Sequence, residues 1–246
     1  MKVQNKEFWE IDNVIDVQDK IKKATDFEMF MFEKAKERFA SFGGIKSIKI
    51  FGCGTGREIE SIAEFFEPNR IVASDIAENM IVKCDENLKE WKLDSITQTL
   101  TLDAKEFNNV YSEFDLVTIL NSMLTYVVEK NDRSAIFKNS YQIAKPNGVL
   151  IGTVHNQEGT FLKTTYFRLR NLLSFYYGDK VGHRNTGYNG YKVPGYYYSK
   201  KDLLDDIKSA GFSNIEIYSL DEYYKLLGLK YNRKTGYNNL IFIAQK

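Results

Sequence analysis

The sequence predicts an α/β fold built on a mostly parallel sheet covered on both faces, and three observations carry that prediction. Short apolar runs alternate with segments of helical period over residues 48–154, the pattern of strands joined by covering helices. A glycine cluster, IKIFGCGTGRE at 48–58, lies where the first strand of that series hands over to a helix. The length of 246 residues, with 43% apolar and 14% aromatic content, suffices for one sizeable core, so 1–246 is expected to be a single domain.

The elements follow in chain order. An N-terminal helical segment occupies 1–44: Val17, Ile21, Ala24, Met31, Ala35 and Phe39 recur at helical spacing until Gly43 and Gly44 stop the run. Strand one is Ile48–Phe51, followed by a helix over Glu58–Phe66 that Pro68 and Asn69 end. Strand two, Ile71–Ser74, leads to a helix over Glu78–Trp91. Strand three lies near Thr97–Leu102 and, after a loop and short helix, strand four runs Asp115–Leu120. A helix over Arg133–Ala144 passes through the turn signal Lys145, Pro146, Asn147, Gly148 into strand five, Val149–Val154. Residues 156–198 interrupt the alternation. Leu162, Tyr166, Leu169, Leu173 and Tyr176 fit one amphipathic helix, and the Gly- and Tyr-rich stretch after it has no period. This insertion is read as a lid or acceptor-binding segment. Ser199 and Asp202 then open a helix that Gly211 closes, strand six is Ile215–Tyr218, and Leu240–Ala244 is the last strand after a second irregular segment.

Composition bounds the function. There is no signal-peptide or transit pattern and no run of about 18 apolar residues, so a cytoplasmic protein without membrane association is expected. Two cysteines, Cys53 and Cys84, make neither a disulfide framework nor a thiolate metal site, and no metal is expected. The net charge of +1 hides an asymmetry, with 20 basic and 25 acidic residues in 1–154 against 14 and 8 in 155–246. Between Lys163 and Lys201 eight Lys or Arg face only Asp179, which is either a solvated surface or a field that attracts an anionic partner.

Glycines at a strand-to-helix turn let a ligand approach the main chain, because no Cβ intervenes. The spacing Gly52, Gly54, Gly56 is not the G-x-G-x-x-G of a dinucleotide site, since Arg57 stands where the third glycine would be. A phosphate-cradling loop is excluded as well, because no Gly-Lys-Ser/Thr follows. A tight structural turn is the alternative. Two acids join the glycines at successive strand ends: Asp75 after strand two, suited to accept both hydroxyls of a ribose, and Asp103 after strand three, suited to an exocyclic amine.

With those acids in place the sequence resembles the class I S-adenosylmethionine-dependent methyltransferases. The resemblance rests on IKIFGCGTGRE, VASDIAENM, LDA, FDLVTILNSMLTYV and IAKPNGVLIGTV, and it resumes at YSKKDLLDDIKSAGF. It implies a Rossmann-like seven-stranded methyltransferase sheet, mostly parallel with the last strand antiparallel, carrying the N-terminal helical segment and the insertion after strand five. By that resemblance Gly52, Cys53, Gly54 and Gly56 would line the methionine part of S-adenosylmethionine, whose product is S-adenosylhomocysteine. Asp75 would bind the ribose, Ile76 and Met80 would pack near the adenine, and Asp103 with Ala104 would hold its edge. Asn121 and Ser122 would sit beside the transferable methyl. The family usually has an acid two positions before the first glycine, where this chain has Ile50, so backbone carbonyls or a side chain such as Asn121 must hold the cofactor's amino end.

Methyl transfer asks for alignment of a nucleophile and exclusion of water, with a general base where the acceptor is a hydroxyl. His155, at the exit of strand five, is the candidate base, with a purely structural histidine as the alternative; Tyr126 would line the acceptor pocket beside it. Arg168, Arg170, His183, Arg184 and Tyr197 of the insertion are the candidate acceptor contacts. The expected acceptor is a small molecule or glycan, acidic or phosphorylated and methylated on O or N. The alternatives are an RNA cap or base, against which the near-neutral charge and the sequence NSML after strand four both count, and a non-catalytic cofactor-binding protein. Oligomeric state has no signature here.

Overall fold

The computed structural model describes residues 5–21, 23–107, 112–188, 190–232 and 238–246. Three helices, α1 (Asn5–Trp9), α2 (Asp12–Asp19) and α3 (Asp26–Phe39), precede β1 (Ser47–Phe51). The alternation that follows is α4 (Ile59–Phe66), β2 (Arg70–Asp75), α5 (Glu78–Trp91), β3 (Thr97–Thr101), β4 (Phe114–Ile119), α6 (Lys130–Ile143) and β5 (Ala144–His155). Next come α7 (Phe161–Leu172), α8 (Ser174–Tyr177), and a hairpin of β6 (His183–Tyr188) and β7 (Tyr191–Tyr196). The chain ends with α9 (Lys200–Ala210), β8 (Ser213–Ser219), α10 (Leu220–Leu226) and β9 (Asn239–Gln245).

Seven strands form one sheet in the order β3-β2-β1-β4-β5-β9-β8. The pairs β1–β2, β2–β3, β1–β4 and β4–β5 are parallel, and β9 runs antiparallel to both β5 and β8. This is the seven-stranded arrangement expected from the sequence. The chain leaves β1 toward β2 on one side and returns to β4 on the other, so the strand order reverses between β1 and β4. A crevice opens at the carboxyl ends of strands at such a switch point. The central strands are apolar on both faces because both are covered: Ile48 and Ile50 pack toward α3, α4 and α5, while Phe51 and Val117 pack toward α6 and α9.

Local departures have local causes. The N-terminal segment is three helices because Thr25 starts α3 anew: its amide and hydroxyl both donate to Glu28 Oε2, at 2.7 and 2.9 Å. The turn expected at 145–148 is absorbed into β5 as a bulge: Phe114 pairs with Ala144 but Leu116 with Val149, and Asn147 takes φ 65° to hold the extra length. In the insertion the single amphipathic helix expected is broken at Leu173 into α7 and α8, and its apolar stripe faces outward. Leu162 is 80% and Phe175 86% exposed, while Lys163 and Phe167 point inward. The stretch that lacked periodicity is the β6–β7 hairpin, in register from His183↔Tyr196 to Tyr188↔Tyr191. The second irregular segment contains α10, opened by Ser219 and Glu222 in a capping box.

Candidate active site

The turn after β1 forms the floor of the crevice. Gly52, Gly54 and Gly56 have φ of 68°, 54° and 88°, the left-handed region that favours glycine. Gly52 has a second reason to lack a side chain, since a Cβ there would meet Met123 Cγ at 2.4 Å. At Gly54 an added Cβ would find only Met80 Sδ, at 4.0 Å; the space above that backbone is free for a ligand. Asp75, at the end of β2, ties the turn down: Oδ2 accepts from Gly54 N at 2.8 Å and Oδ1 from Ala77 N at 3.0 Å. Burial pushes its carboxyl up, and the amides of Ala77, Gly54 and Ile76 pull it back. Each oxygen keeps a second acceptor position.

Over this turn lies a cavity of about 600 Å³. Gly52, Cys53, Gly54, Asp75, Ile76, Met80, Asp103, Ala104, Asn121 and Tyr126 all line it, so three strand ends converge as the sequence spacing anticipated. Gly56 stands outside the lining, where a Cβ would strike Cys84 Sγ at 2.9 Å. Glu58 was not anticipated; it lies inside the glycine motif but reads there as an ordinary acid at a helix start. Also unanticipated is the roof. Asn5 and Trp9 of α1 and Gln18 of α2 close the cavity from above. Asn5 Nδ2 donates to Tyr126 O at 2.9 Å, Trp9 meets the Tyr126 ring edge-on at 4.9 Å, and Gln18 links Asn121 to the Tyr188 hydroxyl of β6.

A second cavity of about 480 Å³ adjoins the first, and Trp9, Gln18, Asn121 and Tyr126 line both. Asn121 and Ser122, consecutive non-glycine residues at φ 51° and 57°, turn the chain away from β4 at this junction. Ser122 faces the second cavity, not the first. His155, Lys163, Arg184 and Tyr197 line the second cavity together, brought from β5, α7, β6 and the segment after β7. Neither Lys163 nor Arg184 has an ion-pair partner among the described residues. Burial and then Arg184 push the Lys163 ammonium down to about 8. Burial and then Lys163 push His155 down to about 4, and its Nδ1 is buried without a partner among the described residues.

The other expected acceptor contacts lie elsewhere. Arg170 is consumed structurally, its Nε donating to Val181 O at 2.9 Å, Nη1 to the Tyr166 hydroxyl at 3.0 Å, and Nη2 to Lys180 O. Arg168 and His183 line neither cavity, and the His183 ring packs against Tyr196. Lys163 had stood in the sequence only as one of eight basic residues.

Comparison with known proteins bears on the same residues. The sequence profile of the methyltransferase domain matches 48–148, the stretch from β1 through the bulge that opens β5. Residues 48–148 thus carry a methyltransferase domain. A methyltransferase-named protein of Geobacillus sp. (strain WCH70) is 30% identical over 115 residues, which cover 46% of this chain and 44% of that one. A glycine/sarcosine N-methyltransferase of Halorhodospira halochloris is 25% identical over 149 residues, 60% of this chain and 51% of that one. The matched part thus spans about half or less of each relative. Among solved structures, an S-adenosylmethionine-dependent methyltransferase from Methanosarcina mazei superposes with a TM-score of 0.61 at 20% identity, covering 81% of this chain and 92% of that one. The 1,6-didemethyltoxoflavin-N1-methyltransferase of Burkholderia thailandensis superposes at 0.59 and 15% identity, covering 88% and 78%. These likenesses establish the methyltransferase fold. Among the described residues no helix is long and apolar enough to cross a membrane.

Proposed function

We propose that this methyltransferase uses S-adenosylmethionine to methylate an anionic small molecule or glycan, held in the second cavity. One observation carries the reading: two adjoining cavities of opposite charge share a wall at Asn121 and Tyr126. The first is lined by Glu58, Asp75, Asp103, Glu129 and Asp132 against Arg57, which suits a cationic cofactor. The second is lined by Lys163, Arg184 and His155 with no acidic side chain among the described residues, which suits a phosphate or carboxylate.

The residues fit the cofactor. The open backbone at Gly54 takes the close approach, Asp75 offers both oxygens to vicinal hydroxyls, and Asp103 and Ala104 lie one strand further out for the base. Bound S-adenosylmethionine supplies a methyl already activated by its sulfonium, so alignment and dryness are the main demands on the protein. Trp9, Gln18 and Tyr126 exclude water from above the shared wall. His155 is neutral near pH 7, and the lone pair or proton at its Nδ1 has no partner among the described residues. Burial is the larger cause of the depressed imidazole and the Lys163 charge the smaller; an anionic acceptor beside Lys163 offsets the second, so the base strengthens when the acceptor arrives.

A labelled-methyl assay tests this against pools of phosphorylated and carboxylated sugars, neutral amines and RNA. Transfer to the anionic small molecules is expected. Transfer to RNA alone, or to neutral amines alone, would refute the acceptor class.

A further inference from the structure

Glu58 precedes α4 directly beneath the glycine turn and is 2% exposed. Its Oε2 lies 3.7 Å from Arg57 Nε, while Oε1 is buried with no hydrogen-bond partner among the described residues. Arg57 is already committed to another acid: Nη1 and Nη2 pair with the two oxygens of Glu28 at 3.0 and 2.5 Å, and Nη1 also donates to Lys23 O at 3.1 Å. Two buried carboxylates therefore share one guanidinium, and Asp75 adds a third acid across the turn. A buried carboxylate oxygen without a donor is costly unless a cation comes to it. Desolvation, with Glu28 and Asp75 adding to it against Arg57, pushes the Glu58 carboxyl up to about 7.

Three carboxylates are thus set across three neighbouring strands of the cavity: Asp103 after β3, Asp75 after β2 and Glu58 after β1, each strand roughly 4.8 Å from the next. S-adenosylmethionine and its product carry a base, a ribose and an amino-acid tail in that order, and the tail bears an ammonium. Ile50, two positions before the first glycine, offers no acceptor side chain for it, being apolar and fully buried in the core. We infer that Glu58 Oε1 accepts the ammonium of the cofactor's amino-acid tail. The inference rests on the first cavity being the S-adenosylmethionine site.

Calorimetry with two ligands separates the inference from that reading. S-adenosylhomocysteine has the tail; 5′-methylthioadenosine has the nucleoside and thioether without it. Glu58→Gln is expected to weaken S-adenosylhomocysteine at least tenfold and to leave methylthioadenosine within twofold. With the unpaired buried charge removed, the ligand-free variant is expected to melt no lower than the wild type at pH 8, whereas a merely structural glutamate would show a loss. Equal weakening of both ligands, or undiminished S-adenosylhomocysteine affinity, would overturn the assignment. A wild type that binds neither nucleoside would overturn the cofactor reading and the assignment with it. A second measurement needs no variant. As pH falls from 8 to 6, wild-type affinity for S-adenosylhomocysteine should drop as Glu58 takes up a proton, and affinity for methylthioadenosine should not. Asp75, Glu28 and Arg57 face both complexes alike, so parallel pH profiles for the two ligands would also overturn it.

Discussion

The two cavities differ in charge and equally in how the chain builds them. The acidic cavity is local: the turn after β1 and the ends of β2 and β3 supply its floor within residues 52–104. The basic cavity is assembled from afar, from Trp9 and Gln18, Ser122 and His155, Lys163, the β6 strand, Tyr197 and Asn238. A cofactor common to many enzymes needs a fixed frame, and consecutive strand ends of one sheet give it. An acceptor particular to one enzyme is met by segments that vary independently of the sheet. The charges also oppose each other in their effect on folding. Glu58, raised to about 7 from an ordinary 4.5, contributes stability that is complete below about pH 4.5 and lost as pH rises toward 7. His155, lowered to about 4 from 6.5, contributes stability complete above about pH 6.5 and lost as pH falls toward 4. Each cavity thus holds a group whose charged form burial disfavours, and a ligand of opposite sign favours that form.

The largest effect should come from breaking the acidic side. Asp75→Ala removes the acceptors proposed for the ribose and frees Gly54 N and Ala77 N from their anchors. Loss of S-adenosylhomocysteine affinity on the order of 2–4 kcal/mol is expected by calorimetry. Acceptor affinity, measured without cofactor, should change little. A folded Asp75→Ala protein that binds the cofactor product normally would remove the ribose assignment.

Next comes the pH signature of the basic side. The depressed His155 implies that wild-type stability falls by about 2 kcal/mol between pH 6.5 and 5 from this group alone. His155→Gln should flatten that part of the curve, read as thermal midpoints against pH, a difference of a few degrees for a chain of this size. Unchanged acid sensitivity would mean that the imidazole is not held neutral. The prediction is separate from catalysis, for which the same variant should slow transfer to a hydroxyl acceptor.

Reading the chain alone went far for one region and stopped short in the other, for a physical reason. The places of the glycine turn and of the acids Asp75 and Asp103 around one cavity are legible because they follow from position at a strand end, which periodicity locates. Glu58 and Lys49 escaped because burial, not position, sets them apart. Lys49 is a charged residue inside strand one, yet it is fully buried, donates to Ser74 Oγ at 2.7 Å and lies over the Phe51 and Phe107 rings, with burial lowering its ammonium to about 7. In the insertion, basic residues were countable but could not be sorted. Lys163 is turned inward and Arg168 outward although both sit on α7, and only the packing of Phe167 and the hairpin decides which is which.

That sorting gives the next contrast. Lys163→Gln with Arg184→Gln removes both side-chain cations from the basic cavity. An increase of about tenfold or more in the acceptor's KM is expected, on the order of 1.5 kcal/mol, at unchanged affinity for S-adenosylhomocysteine. A proportional loss in both would mean that the two cavities are not independent.

The smallest effect is expected from Arg168→Ala, and its smallness is informative. If acceptors were gathered by the general field of the 163–201 segment, every cation there would contribute, and removing any one would weaken capture at low ionic strength, where the Debye length is about 30 Å at 0.01 M. If the cavity itself holds the anion, contact decides, and a charge that lines neither cavity should matter little. Arg168→Ala is therefore expected to change the acceptor's KM by less than about twofold at low salt, and to leave the difference between wild type and the Lys163 and Arg184 double variant intact. A loss for Arg168→Ala comparable with that of the double variant, and erased by salt in both, would shift the recognition from the cavity to the surface field. The second cavity would then be a consequence of how α7 and the hairpin pack, and the basic side of the comparison would no longer describe a binding site.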